Sequence, residues 1–254
     1  MSEKKISSMK NIIITAMILS FITCFSATSA AEDIIYEAQI VKINDFIAKN
    51  EINQAEEIVK KLLEDNHTDN NVIFYRALIH HKKGEYDKAL VEYFKALHSA
   101  KDDPLLNYNI GLLFYQMNNH NKALEFYEKV ITLQPNFSEA YFNAARIYQE
   151  QDNNKKAINY YKKYLSEFPE DVEALNNLAV VYKSDGNFDK AFEVFKKILF
   201  IDPNYIPSHY NIALMHLING NDKAFNNELK LLSKISPDHA KILIKQKENF
   251  KPGK

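Results

Sequence analysis

The stretch 138–171, SEAYFNAARIYQEQDNNKKAINYYKKYLSEFPED, decides the architecture. In its first half Tyr141, Ala144, Ala145 and Tyr148 stand at i, i+3, i+4 and i+7, which is one face of a helix. A polar break follows from Gln151 to Lys155, and then Ala157, Tyr160, Tyr161 and Tyr164 mark the inner face of a second helix. Pro169 closes that helix, because the ring removes a backbone donor and clashes with the turn before it. The spacing predicts an antiparallel helix pair joined by a short turn.

The same pattern returns on both sides at a fixed interval. Pro135, Pro169, Pro203 and Pro237 are 34 residues apart. Small residues keep the same beat at Ala77, Gly111, Ala145, Ala179 and Ala213, and again at Ala55, Ala89, Ala123, Ala157 and Ala191. Aromatic columns run through Phe114, Tyr148 and Tyr182 and through Tyr93, Tyr127, Tyr161 and Phe195. Two helices approach closely only where their Cβ groups are small, and large rings then fill the wedge between one pair and the next. Five glycines and seven prolines in 254 residues suit this plan and do not suit a many-turned sandwich or barrel. Gly84, Gly186 and Gly220 share one column, the turn between paired helices. Too few glycines remain for a dinucleotide fingerprint or a phosphate-cradling loop.

These columns resemble the tetratricopeptide repeat (TPR) family, whose 34-residue helix-turn-helix unit carries small, aromatic and proline positions in this order. The resemblance is specific in 104–137, 138–171 and 172–205, and good in 70–103, where Lys101 replaces the proline. The segment 36–69 is degenerate, with Ile43 in the small column. In 206–239 the second-helix alanine arrives one residue early, at Ala224, so a one-residue shift is expected there. The resemblance implies an all-α fold, a right-handed superhelix of about six repeats over 31–239, whose first helices line the inner surface. His239–Phe250 (HAKILIKQKENF) is amphipathic and lysine-rich, so 240–254 reads as a capping helix and tail.

On the free face of the first helices, Asn109, Asn143, Asn177 and Asn211 recur every 34 residues. An amide carries both donors and an acceptor, so such a row pairs with successive peptide groups of an extended chain. The alternative is that the row supports stacking of the repeats. It is interrupted earlier, by Tyr75 and Val41. One residue before it lie Phe74, Tyr108, Phe142, Asn176 and Tyr210, and one turn later Leu78, Leu112, Arg146, Val180 and Leu214. Tyr108, Phe142, Tyr210, Leu112 and Arg146 are the neighbouring candidates for pockets along a bound peptide. Arg146, near Lys183, is placed to receive an acidic side chain. The several groove lysines and arginines of TPRs that hold the C-termini of heat-shock chaperones are absent.

The first thirty residues read as a targeting segment. Lys4, Lys5 and Lys10 precede the apolar run Ile12–Phe25, and Thr28 and Ala30 supply the small residues of a cleavage site. This is the pattern of a signal peptide cut after Ala30. An uncleaved anchor and lipid attachment at Cys24 are the alternatives, although the residues before Cys24 do not form a usual lipobox. Cys24 is the single cysteine, so a cleaved chain has no disulfide and no thiolate metal site.

Thirty-two basic against thirty-three acidic residues leave a net charge of −1, which gives no field for nucleic acid. The eight histidines form no i, i+4 ligand pair, and no Gly-x-Ser-x-Gly elbow is present. The expectation is a non-enzyme without cofactor or metal: an exported bacterial scaffold of the cell envelope that holds a protein or peptide in its groove. Two alternatives stand beside it. One is a membrane-anchored assembly factor resembling the TPR lipoproteins that help localise type IV pilus secretins. The other is a holdase-like helper for exported polypeptides.

Overall fold

A computed structural model of the chain describes residues 32–250. The targeting segment and Cys24 therefore lie outside the described residues. All thirteen elements among the described residues are helices, α1 to α13, and they pack as consecutive pairs. They divide into two compact units, the first ending at Ala100 and the second beginning at Lys101.

The first unit holds α1 (32–48), α2 (Ile52–Glu64), α3 (Asn70–Lys82) and α4 (Tyr86–Ser99). Its core joins Ile43, Ala55, Val59, Leu62, Val72, Tyr75 and Ile79. Ile43, the large residue in the small column, is fully buried, and Asn44 donates to the Tyr75 hydroxyl at 2.7 Å. Between α3 and α4 the core gives way to charge. Arg76 pairs with Glu92, and Lys95 reaches the same carboxylate at 2.8 Å.

The second unit contains α5 (Pro104–Gln116), α6 (His120–Leu133), α7 (Ser138–Glu150), α8 (Asn154–Leu165) and α9 (Val172–Ser184). It continues with α10 (Phe188–Ile201), α11 (Ile206–Ile218), α12 (Asp222–Ile235) and α13 (Pro237–Asn249). Ala123, Ala145, Ala157, Ala179, Ala191 and Ala213 are all fully buried, and so are the rings of Tyr127, Tyr161 and Phe195. Complete burial of one such ring contributes about 1.5–3 kcal/mol.

The helix ends follow one local rule. Asn50, Gly84, Asn118, Asp152, Gly186 and Gly220, each 34 residues from the next, all have φ between 55° and 75°. This left-handed residue lets the next amide fold back on the helix it leaves, as Asn153 N does to Tyr148 O at 2.8 Å and Asn187 N to Tyr182 O at 2.8 Å. That next residue then opens the second helix: Asn119, Asn153 and Asn221 each accept a backbone N–H of the new first turn.

Two expectations are corrected at the C-terminal end. α12 starts 34 residues after α10 and ends 34 after it, so the one-residue shift is absent. The motif DKAF slides against the helix instead, which puts Phe225 rather than Ala224 in the small column, fully buried. Leu229 occupies the position of the large ring, and this exchange of volumes keeps the pair packed. Pro237 does not close a helix but opens α13, where its missing N–H removes nothing. α13 packs on α12 and α11 through Ala240 and Leu243.

Candidate functional site

In the second unit the first helices of the pairs are α5, α7, α9 and α11, and each carries one asparagine of the row. Three of the four amides are bonded within the fold. Asn109 Nδ2 donates to Leu105 O at 2.8 Å, and Asn211 Nδ2 to Pro207 O at 2.8 Å, each one turn back on its own helix. Asn143 Nδ2 donates to the Tyr108 hydroxyl at 2.9 Å, which ties α7 to α5. Asn109 and Asn211 are buried, whereas Asn143 and Asn177 are half-buried. An amide offers two N–H groups and two lone pairs, so capacity remains beyond these bonds.

The neighbouring candidates also take part in packing. The Tyr108 ring lies 5.9 Å from Tyr127 and 4.9 Å from Phe137. Phe142 packs against Tyr161 and Tyr164 at 5.9 and 5.0 Å. Tyr210 faces His239 at 6.0 Å and donates to Gln246 Oε1 at 2.9 Å, which fastens α13. Leu112 is half-buried.

Arg146 and Lys183 have different partners. The Arg146 guanidinium lies 5.2 Å from the centre of the Tyr115 ring and donates to its hydroxyl at 3.1 Å. Lys183 Nζ donates to Asn211 Oδ1 at 2.7 Å, and burial holds its pKa below the usual lysine value.

Two features escaped the reading of the sequence. Lys122, Lys156 and Lys190 stand over Phe114, Tyr148 and Tyr182 at 5.1, 4.5 and 5.6 Å, a cation–π contact repeated in three pairs. Its signal was available, since these lysines are 34 residues apart. The second is the hydroxyl of Tyr127, which is buried without a hydrogen-bond partner. Nothing in the spacing of residues marks an orphan of that kind. Among the described residues no cluster of three or more His, Cys, Asp or Glu is arranged to hold a metal, and no helix is long and apolar enough to cross a membrane.

Sequence patterns described as tetratricopeptide repeat match residues 105–137 and 142–206, and one described as TPR repeat matches 77–118. This is a tetratricopeptide repeat protein. No curated protein matches the TPR chain in sequence. Solved TPR structures share its fold at low identity. PilF of Pseudomonas aeruginosa is 16% identical with a TM-score of 0.69, over 83% of this chain and 96% of that one. MamA (41-end) from Desulfovibrio magneticus RS-1 is 19% identical with a TM-score of 0.59, over 65% and 92%. YrrB, described as a TPR protein with an unusual peptide-binding site, is 22% identical with a TM-score of 0.55, over 67% and 88%.

Proposed function

We propose that the TPR array is a non-catalytic protein-interaction scaffold whose first-helix row in the second unit holds an extended polypeptide. The observation that carries this reading is the row of four amides at a 34-residue interval, three of them held by hydrogen bonds within the fold and all with donor or acceptor capacity left. Fixed amides lower the entropic cost of ordering a bound chain, which favours binding by preorganisation. Half-buried Tyr108, Phe142 and Leu112 lie beside the row and supply apolar contact for alternate side chains of the guest. The peptide-binding site named for YrrB supports a peptide as the guest class.

Replacing Asn109, Asn143, Asn177 and Asn211 together by Ala tests it. Helical content by circular dichroism stays unchanged, because alanine suits a helix interior, while crosslinked partner recovered from envelope extract falls. Undiminished recovery removes the row from the reading.

The proposed compartment is the bacterial cell envelope, supported by the signal-like segment ahead of Ala31. The second reading is the membrane-anchored assembly factor, supported by the likeness to PilF over almost all of that chain. Mass spectrometry of the mature N-terminus separates them: a free Ala31 favours the soluble scaffold, and an acylated Cys24 or a retained Met1 favours the anchored form.

A further inference from the structure

In the second unit, polar contacts join the turn between α5 and α6 to the turn between α7 and α8. His120 Nδ1 lies 3.2 Å from Glu150 Oε2, and Gln151 Nε2 donates to Asn121 Oδ1 at 3.5 Å. Two repeats on, the same four positions hold Phe188, Ile218, Asn219 and Asp189. No such contact joins these residues among the described residues. Two adjoining clefts of about 350 and 420 Å³ open there, between the α9–α10 turn and the α11–α12 turn. Both are lined by Phe188, Asp189 and Asn219; the first also meets Phe192 and His216, and the second Asp185.

The groups around this double cleft are uncommitted. Phe188 is 48% exposed, and its ring makes no aromatic or cation contact among the described residues. Neither Asp185 nor Asp189 pairs with a base among them. The nearest cation is already engaged: Lys196 stands over Phe192 at 5.3 Å and pairs with Glu193 at 2.7 Å. Phe192 meets His216 edge-on at 5.6 Å, which forms one wall.

The other pairs of the unit show what this position accommodates. Lys122, Lys156 and Lys190 lie over Phe114, Tyr148 and Tyr182, each lysine eight residues after its ring. In the last pair the ring is His216, and eight residues on stands Ala224, whose methyl group cannot reach across it. The pair that borders the cleft is thus the one that lacks its own ammonium.

We propose that this cleft binds a lysine side chain of a partner polypeptide. The apolar stem lies against Phe188, and the ammonium meets the carboxylates of Asp185 and Asp189 at the rim. Charge selects the guest, since an acidic side chain meets like charge here and a neutral one leaves both carboxylates unpaired. Aromatic rings beside the carboxylates add attraction for a cation. The contact does not depend on the amide row, because none of the four asparagines lines the cleft.

Met215 also lines the cleft and serves as the reporter. The full chain, labelled with ¹³C at the methionine methyl groups, is titrated at pH 8, above the ordinary range of imidazole. The probes are the N-methylamides of acetyl-lysine, acetyl-norleucine and acetyl-arginine, and Met215→Leu assigns the signal. The expected result is a saturable shift of the Met215 methyl with the lysine amide, a weaker one with the arginine amide and none with the norleucine amide at the same concentration. Asp185→Asn and Asp189→Asn each weaken the titration by roughly two- to fivefold, as for an exposed ion pair. Ala224→Lys supplies the missing ammonium from α12 and abolishes the shift, with helical content by circular dichroism unchanged. Equal response to norleucine, arginine binding as tight as lysine, silence with lysine, or full affinity in the double Asp variant or in Ala224→Lys overturns the proposal. The Asn109→Ala, Asn143→Ala, Asn177→Ala, Asn211→Ala variant leaves this titration unchanged, so failure of the groove reading and failure of this one are read separately.

Discussion

Tyr127 and Tyr161 share burial and column but not hydrogen bonding, and this contrast is testable in stability. Burial pushes both phenol pKa values upward, so both rings stay neutral and the difference lies in the bond alone. Tyr161→Phe removes a satisfied hydroxyl and strands Gln149, with an expected loss of about 0.5–1.5 kcal/mol. Tyr127→Phe removes a buried orphan, and the expected change is zero to a gain of about 1 kcal/mol. Urea unfolding at constant slope measures both. Gly111→Ala forces a methyl group to within 2.7 Å of the Tyr127 ring edge, and overpacking of this kind costs roughly 1–3 kcal/mol.

Within each helix pair, the left-handed turn and the contact between the two helices set the energetics. Gly186 has φ 74°, so Gly186→Ala places a Cβ in the left-handed region at a cost of about 1–2 kcal/mol. Asp152 already carries that cost at φ 55°, and Asp152→Gly is expected to raise the unfolding midpoint. The α3–α4 pair depends on pH. Burial alone would raise the Glu92 pKa, but hydrogen bonds from Lys95 and Arg76 outweigh it and hold the carboxyl below its usual range. A carboxyl depressed in the folded state stabilises the fold above its unfolded pKa of about 4.3, and that stabilisation is lost as pH falls through the folded value. Acid titration of the full chain should therefore show the α3–α4 signals melting early, and Glu92→Gln should flatten that acid limb.

Within each unit, helices pack mainly against their neighbours in sequence, and in the second unit the more distant contacts, α7 with α9 and α11 with α13, skip only one helix. Stability in such an array is close to a sum of local pair and neighbour terms, so damage stays local. Phe225 is the large buried residue of the last pair. Phe225→Ala opens a cavity between α11, α12 and α13 at an expected cost of about 3–5 kcal/mol. Hydrogen exchange should then show lost protection from Ile206 onward and little change in α5 to α8. Uniform loss across the second unit would mean that it unfolds as one body.

The helix pairs, their 34-residue interval and the small columns were legible in the sequence, because they follow from spacing along a helix, which is local. The position of Asn109, Asn143, Asn177 and Asn211 was equally legible; their bonding was not. A periodic row predicts four equivalent amides, yet Asn109 and Asn211 bond their own helices, whereas Asn143 bonds a tyrosine of an earlier helix and Asn211 also accepts from Lys183. The slide of DKAF against α12 misled the reading for a related reason. The motif is identical, but the helix start is set by the left-handed Gly220 and the Asn221 cap rather than by the alanine. The orphan Tyr127 hydroxyl was invisible from sequence, since it depends on how the ring packs against Gly111 and the neighbouring helices. The sequence by itself therefore determined where the helices are and which faces are buried, since periodicity is a property of the chain. Only the tertiary structure decided which polar groups are satisfied and which are not, since those bonds span distances that no spacing records.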